Sequence, residues 1–543
     1  MSQDKRGSRR PSANAWLYTP RVRTGRDEPT GLIDEDELGS RERAIFDSLQ
    51  PDEGAIAAPT LHERLLDAGL RSDDPRLREL FGALERDDVK RLGFADYSSM
   101  IGSCRVLVER ALSGNLVIPD FADFCREVRA MYEQTKLNVA GVLPEYIPQL
   151  TRVDPEQFGV AICTIDGQMF SIGDARTEFC VQSCGKPLTY CMALEEHGVE
   201  LVHRYIGSEP SGHGFNELKL DARGKPHNPM INAGAIMACA LIRRDKELAD
   251  RFDDVLAAWH EVSGGRRIGF SNSVYLSERR SADRNFALGY LLREHKAFPE
   301  DSDLIETLEF YLQSCAIEAD TEAMAVTAAT LANAGVCPTS GQRVFGPETV
   351  QKCLSMMSSC GMYDFSGEFA FSVGLPAKSG VSGAIIGVVP NVLGFCTWSP
   401  RLDHHGNSIR GLEFCRRLVQ SYNFHAYDTL TGLSGKKDPR LGRARALAND
   451  VGQLTWAASF GDLSSVRQAV ARGVDPERGN FDDRTALHVA AANGHLDVVD
   501  YLLTLGVDPR PLDRFGNTPL DEARREGHVK VAARLEARLA DST

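Results

Sequence analysis

The sequence contains no apolar run of the roughly 18 residues that span a bilayer, and no excess of basic charge. Its formal net charge is −14, whereas a general nucleic-acid binder usually has a basic surface. The N-terminal stretch "MSQDKRGSRRPSANAW" lacks the apolar segment of a secretory signal. We therefore expect neither a membrane nor a nucleic-acid partner. The predicted location is cytoplasmic, or mitochondrial if the source is eukaryotic.

Metal-binding cysteine motifs are also missing. The 13 cysteines include no CxxC pair and no Cys/His cluster. They are scattered through apolar segments such as "GVAICTI" and "VLGFCTW", which is typical of reduced, buried thiols. We therefore expect no metal site.

The length of 543 residues exceeds what one core supports, and 42% hydrophobic and 25% charged residues are typical of globular domains. We predict an α+β protein in five segments. They are a disordered tail (1–40), a helical domain (41–136), a catalytic domain (137–425), a linker (426–450) and a repeat domain (451–543).

The helical domain has an EF-hand-like helix–loop–helix rhythm. Its loop "DSLQPDEGAIAAPTL" lacks carboxylates at alternate ligand positions and the glutamate at position twelve. We therefore predict an interaction domain without calcium. Its last helix begins near Asp120, a possible N-cap.

The catalytic domain has strand patterns at both ends and helical patterns between them. "FGVAICTIDGQMFSIGD" predicts two strands joined at Asp166-Gly167. "IETLEFYLQSCAIEADTEAMAVTAATLANAG" predicts helix, and "FAFSVGLPAKSG", "VSGAIIGVVP" and "VLGFCTWSP" predict an antiparallel meander before a closing helix. We expect one sheet that pairs the first strands with the last.

The C-terminal segment is repetitive. Thr485 and Thr518 open similar stretches and lie 33 residues apart, and a degenerate earlier copy shares the "GVDP" ending. This period resembles ankyrin repeats, which stack helix pairs into a solenoid. The solenoid either binds a protein partner or packs against the rest of the chain.

The segment "VQSCGKPLTY" places Ser183 three residues before Lys186. Two other Ser-x-x-Lys copies lie in polar segments, so the motif alone is weak. Here Pro187 suits the first turn of a predicted helix, whose positive end stabilises negative charge. A serine nucleophile needs a base, and lysine serves only when desolvation keeps it neutral. The alternative is a helix-capping serine beside a surface lysine.

Downstream, Lys378-Ser379-Gly380 lies on a predicted strand. Ser-x-x-Lys followed by Lys-[Ser/Thr]-Gly is the arrangement of penicillin-binding proteins and serine β-lactamases. In that arrangement the N–H groups of the serine and of the later strand hold the oxyanion, here Ser183 and Val381. Asparagine, glutamate and tyrosine residues between the two motifs suit a small zwitterion, although each alone is more often a turn or cap residue.

Together these segments resemble the glutaminase family over about residues 40–540. The matching stretches include "HRY-x-G-x-EPSG", "KPHNPM-x-NAGAI", "SER-x-S-x-DRNFA-x-GY", "CGMYDFSG" and "GLPAKSGV-x-G". The helical N-terminal domain and the ankyrin repeats resemble the long animal kidney- and liver-type enzymes rather than the short bacterial ones.

The resemblance implies a serine β-lactamase-like fold and cofactor-independent hydrolysis of L-glutamine to L-glutamate and ammonia through a γ-glutamyl-enzyme. By matching motif, Ser183 is the nucleophile, Lys186 the general base and Tyr363 a proton relay. The implied substrate-binding residues are Tyr146, Gln182, Ser183, Asn232, Glu278, Asn285, Tyr311, Tyr363 and Val381.

This chain departs from the long animal enzymes in the loop of residues 207–229, which the family associates with phosphate activation and dimer–dimer contacts. Those enzymes have arginine, lysine and phenylalanine where this chain has Gly214, Glu217 and Lys219. A carboxylate repels phosphate, and a lysine weakens an apolar contact. We expect weak or absent phosphate activation and altered assembly into dimers, tetramers or filaments. The predicted regulatory residues are Gly214, Phe215, Asn216, Glu217 and Lys219.

Two rival functions remain. A β-lactam-recognising acylase or peptidase shares both lysine motifs, but those enzymes act outside the cytoplasm and no signal peptide is present. An ankyrin scaffold on a retired enzyme domain would show a broken catalytic set, whereas every matched position is intact here.

Overall fold

The computed structural model describes residues 54–86, 89–212, 217–428, 435–471 and 474–540, with several positions between 42 and 52. Within these residues, no helix combines the length and the apolar character that crossing a membrane requires. Gly214, Phe215 and Asn216, which the sequence predicts to be regulatory, lie outside the described residues.

The N-terminal domain is helical, as predicted, and closes around its own apolar core. Buried side chains such as Leu61, Phe81 and Tyr97 belong to that core, because each helix presents apolar residues three or four positions apart. The elements are strand β1 (Ala55–Ala57), helices α1 (Ala58–Asp67) and α2 (Arg78–Leu84), strand β2 (Arg91–Gly93), and helices α3 (Phe94–Ile101) and α4 (Arg105–Leu112).

The central domain is built on an antiparallel sheet that joins its two chain ends. Strands β3 (Gly159–Thr164) and β4 (Met169–Gly173) form the predicted hairpin, and Gly167 takes a φ of +92° in its turn. β3 then pairs with β10 (Leu393–Trp398), which pairs with β9 (Ala384–Val389) and, through it, β8 (Ala377–Ser379). The predicted pairing of first strands with last is therefore confirmed.

Helices cover both faces of this sheet. α12 (Thr321–Ala332) lies against β3 and β10 on one side, while α5 (Phe121–Lys136) and α15 (Ile409–Ser421) share an apolar core with the other side. Asp120 occupies the N-cap position of α5, as predicted, but its side chain makes no capping hydrogen bond there. The helices are α5 (Phe121–Lys136), α6 (Lys186–Tyr205, interrupted at Gly198), α7 (Asn232–Leu241), α8 (Leu248–Val262), α9 (Asn272–Arg280), α10 (Asp283–Glu294), α11 (Leu304–Cys315), α12 (Thr321–Ala332), α13 (Pro347–Cys360), α14 (Ser366–Ser372) and α15 (Ile409–Ser421).

Two local predictions are wrong in detail. The long helical stretch is broken by a short strand, β7 (Ile317–Ala319), after which Asp320 caps α12 by accepting from the Ala323 N–H at 2.8 Å. β7 pairs with β5 (Phe179–Cys180) and β6 (Gly269–Phe270) in a second sheet. The stretch "FAFS" ends α14 instead of forming a strand. In both places long-range packing overrides a short local pattern.

The C-terminal domain stacks helix pairs at the predicted period. Thr485 and Thr518 each cap a helix by a reciprocal capping box. His495 and His528 lie 33 residues apart and each contacts a backbone carbonyl of the preceding repeat, at 2.9 and 3.0 Å. The helices are α16 (Arg443–Ser459), α17 (Leu463–Ala471), α18 (Ala486–Ala492), α19 (Leu496–Thr504), α20 (Pro519–Arg525) and α21 (Val529–Ala540).

The N-terminal domain is docked onto the β3–β4 hairpin by buried polar contacts. The amide of Gln168 is fully buried, donates to Ala68 O (2.8 Å) and Ile118 O (2.9 Å), and accepts from the Ile118 N–H (3.2 Å). Arg71 donates to the buried carboxylate of Glu322 at 2.9 Å, at the start of α12. This contact fixes the helical domain to the element that backs the central sheet.

Replacing Gln168 with Ala removes the partner of one buried carbonyl, one part-buried carbonyl and one buried N–H. An unsatisfied buried polar group costs about 1–3 kcal/mol, so we expect a destabilisation of about 2–4 kcal/mol. Thermal unfolding followed by circular dichroism measures it. The control is Gln351→Ala on the exposed side of α13, expected to change stability by less than about 0.5 kcal/mol. Equal unfolding midpoints for the two variants would contradict the docking role.

Candidate active site

Ser183 lies in a tight turn between the second sheet and helix α6. β5 leads into a 3₁₀ turn, Gln182–Gly185, and α6 begins at Lys186 with a proline in its first turn. Ser183 therefore precedes the α-helix, as predicted, and Pro187 lies in the first turn of that helix. The thiol of Cys184 donates to Lys378 O at 3.3 Å and so ties the serine turn to β8.

Lys186 is buried beside Ser183 rather than exposed. Its side chain is 3% exposed, and Nζ donates to Asn232 Oδ1 at 2.7 Å. Asn232 Nδ2 in turn donates to Asn285 Oδ1 at 3.0 Å. Burial lowers the pKa of Lys186 to about 8, and no carboxylate contributes to that shift. The alternative of a surface lysine is therefore excluded.

A second buried lysine lies close to the first. Lys378 is fully buried, and its Nζ donates to Ser379 O at 2.6 Å and lies 4.6 Å from the ring centre of Tyr363. Burial, and to a smaller extent the charge of Lys186, lower the pKa of Lys378 to about 7. The sequence marked this lysine as part of a motif but gave it no role, since only its burial makes it unusual.

Tyr363 is placed next to Ser183 by a strained turn. It begins the 3₁₀ turn Tyr363–Phe365 with a φ of +55°, which is unusual for an aromatic residue. Burial raises the pKa of Tyr363 above its ordinary value, and a hydrogen bond with Ser183 opposes that effect. Burial thus keeps the tyrosine protonated, and the effect of Ser183 on its pKa indicates that the two side chains lie close together.

A buried carboxylate lies at the other side of the serine turn. Glu278 is 2% exposed and accepts from Tyr146 Oη at 2.6 Å and from Gln182 Nε2 at 2.9 Å. Burial raises its pKa, which the two donors partly offset. Tyr311 is also buried, and burial raises its pKa. Its neighbours Cys315, Tyr146 and Glu278 raise that pKa further.

The N–H of Val381 lies in the turn that joins β8 to β9. Two hydrogen bonds close this turn: the Gly383 N–H donates to Gly380 O (3.0 Å), and the Gly380 N–H donates to Ala384 O (2.9 Å). The N–H of Val381 takes part in neither of them. A Cβ on Gly380 would lie 3.0 Å from Val181 O and 3.2 Å from Cys184 Sγ. Glycine is therefore required for β8 to approach the serine turn.

The loop of residues 207–229 connects directly to the site. Its two ends are held together because the Gly207 N–H donates to Pro226 O at 2.7 Å. Asn228, 1% exposed, donates to Glu209 O at 3.0 Å, four residues before Asn232. Glu217 and Lys219 are exposed. The loop thus ends three residues before Asn232, the asparagine that contacts Lys186.

The site holds acid–base and nucleophilic groups rather than metal ligands. In the part of the chain that the structure describes, no cluster of three or more His, Cys, Asp or Glu is arranged to hold a metal ion. A buried serine, an amine of lowered pKa and a hydrogen-bonded tyrosine are the parts of a covalent hydrolase. The fold and the site therefore define a hydrolase of the serine β-lactamase-like class.

Comparison with known proteins identifies the family within that class. A family model described as Glutaminase matches residues 141–427, more than half of the chain. Models for ankyrin repeats and for an EF-hand domain match residues 454–541 and 41–119. The chain belongs to the glutaminase family, which confirms the resemblance seen in the sequence.

Similar proteins extend this result beyond the central domain. "Putative glutaminase 3" of Caenorhabditis elegans is 44% identical over 84% of this chain and 80% of its own length. "Glutaminase liver isoform, mitochondrial" of Rattus norvegicus is 45% identical over 78% and 71%. A solved structure described as a probable glutaminase, ybaS, is 34% identical with a TM-score of 0.53, covering 56% of this chain and 97% of its own.

Proposed function

We propose that Ser183 is the nucleophile and Lys186 the general base with which this glutaminase hydrolyses L-glutamine to L-glutamate and ammonia. The observation that carries the proposal is the buried Lys186, whose pKa of about 8 leaves part of it neutral near neutral pH. A neutral amine accepts the serine proton, whereas an ordinary lysine is protonated. This chemistry uses groups of the protein and water, and it needs no cofactor.

The reaction proceeds by two acyl transfers. Ser183 Oγ attacks the γ-carboxamide carbon as its proton passes to Lys186 Nζ, and the oxyanion accepts from the N–H groups of Ser183 and Val381. The C–N bond breaks as a proton, relayed through Tyr363, reaches the leaving nitrogen, and ammonia departs. Water then adds to the γ-glutamyl ester and gives its proton to the same base, and glutamate is released with Ser183 restored.

The substrate's charged groups are met by residues around the serine turn. The Glu278 carboxylate, held by Tyr146 and Gln182, suits the α-ammonium of glutamine. Asn232 and Asn285 suit the α-carboxylate. Tyr311 completes the set and closes the pocket near Glu278. The intact catalytic set argues against a retired enzyme domain that serves only as a scaffold.

The flanking domains and the altered loop bear on assembly. We infer a homo-oligomer, as a dimer, tetramer or filament, with altered contacts where Lys219 replaces an apolar residue. The ankyrin repeats suit a protein partner. We place the enzyme in the cytoplasm, or in mitochondria if the source is eukaryotic, a point that fractionation of the source cells would test.

Ammonia release from L-glutamine tests the assignment of the nucleophile. We expect Ser183→Ala to lower kcat by at least about 10³-fold, because the covalent route is lost. Coupled detection of ammonia and glutamate gives the rate, and a chromogenic β-lactam is the negative control. Full activity of the Ser183 variant would overturn the nucleophile, and β-lactam turnover without glutamine turnover would overturn the substrate.

The pH profile tests the base. Because the neutral amine of Lys186 is active, kcat/KM should rise about tenfold per pH unit below pH 7 and level off above about pH 9. Asn232→Asp puts a negative charge beside Lys186, raises the pKa of its amine and should move the inflection to higher pH. Lys90→Met, at an exposed lysine, is the control and should leave the profile unchanged. A flat profile between pH 6 and 9 would rule out Lys186 as base.

The response to phosphate tests the altered loop. We expect kcat/KM to change by less than about twofold on adding phosphate, since Glu217 repels an anion. Glu217→Lys removes that repulsion and should increase the response. Activity is measured with phosphate and with an equal ionic strength of chloride. A many-fold rise in the wild-type rate with phosphate alone would contradict the expectation.

A further inference from the structure

Two non-glycine residues with left-handed backbone conformations meet at the site. Gln182, directly before the nucleophile, has a φ of +49°, and Tyr363 has a φ of +55°. A left-handed conformation costs a residue with a side chain about 1–3 kcal/mol and persists only where neighbouring contacts enforce it. The contacts that enforce it at Tyr363 are therefore part of how the site is built.

One serine holds the backbone on both sides of Tyr363, at the peptide group that follows the tyrosine and at the peptide group that precedes Met362. Ser366 Oγ accepts from the Met362 N–H at 3.0 Å and donates to Tyr363 O at 2.7 Å. Ser366 is 7% exposed, so water does not readily replace its hydroxyl. With the 361–362 and 363–364 peptides fixed, φ at Tyr363 has less freedom to relax.

A second contact reaches the same turn from another part of the chain. Asn407 is fully buried, and its Nδ2 donates to Met362 O at 3.3 Å. Asn407 is itself held because its backbone N–H donates to Asp403 Oδ1 at 2.9 Å. The loop that carries it places Gly406 against Tyr363, where a Cβ would lie 3.8 Å from the tyrosine ring.

We propose that Ser366, assisted by Asn407, is a positioning residue that holds Tyr363 in its left-handed conformation so that its hydroxyl meets Ser183. The inference rests on the proposed role of Tyr363 as proton relay. Ser366 does not reach the reacting atoms itself; its two hydrogen bonds end on the backbone around Tyr363. Its contribution therefore passes through the tyrosine.

If Ser366 acts by positioning Tyr363, its loss changes the kinetic constants in a way that a general structural role would not. If the Tyr363 turn relaxes, proton transfer slows while the residues that bind glutamine stay in place. A displacement of about 1 Å in a reacting group lowers rates by up to about 10²-fold. The loss should therefore appear in kcat, with KM nearly unchanged, and it should vanish when Tyr363 has no hydroxyl to position.

The test is a double-mutant cycle in the full chain with Ser366→Ala and Tyr363→Phe. We expect Ser366→Ala to lower kcat at least about tenfold with KM within about twofold of wild type. In the Tyr363→Phe background the same change should alter kcat by less than about twofold. Ser372→Ala is the matched control, because Ser372, also in α14, makes an exposed bond to Glu368 O at 2.8 Å, and it should leave kcat unchanged.

Asn407→Ala provides a second, independent variant, and thermal unfolding confirms that each protein is folded. We expect a smaller kcat loss than for Ser366→Ala, again absent in the Tyr363→Phe background. Equal losses in both backgrounds, or full activity of Ser366→Ala, would overturn the inference while leaving the proposed reaction intact. Full activity of Tyr363→Phe would overturn the relay role, and the inference with it.

Discussion

A lysine can act as a base near neutral pH only if its ammonium form is destabilised, and in this protein burial does so. Lys186 and Lys378 are both buried, and burial is the largest cause of the lowered pKa of each. Lys186 Nζ donates to Asn232 Oδ1, a neutral oxygen, at 2.7 Å. This bond orients the amine but does not hold its proton as firmly as a bond to a carboxylate would. The helices around the serine turn keep water out of this pair.

The burial of the two lysines depends on how the strands of the two sheets are paired. The pairing of β3 with β10 brings the two ends of the central domain together, and the pairing of β5 with β7 places the serine turn. Cys184 then bonds to the backbone of Lys378, and Gly380 permits the close approach of β8. Two motifs almost 200 residues apart thus meet in one dry pocket.

Backbone strain and buried polar groups are concentrated near the candidate active site. Gln182 and Tyr363 take left-handed conformations on either side of Ser183, and Glu278, Ser366 and Asn407 bind the segments that carry them. Away from the site, buried Gln168 and Glu322 use similar polar contacts to join the N-terminal domain to the central one. Strain of this kind is tolerated because the surrounding core over-determines it.

The sequence by itself determined the family, the hairpin at Asp166-Gly167 and the 33-residue repeat, and it predicted the reactive serine, because each depends on a local or ordered pattern. It did not determine the strand β7 or the helical end of "FAFS", whose local patterns are too short to outweigh long-range pairing. Nor did it assign roles to Lys378, Ser366 or Asn407. Only the tertiary structure buries that lysine and turns Tyr363 toward Ser183, because desolvation and backbone strain arise from contacts between segments that are distant along the chain.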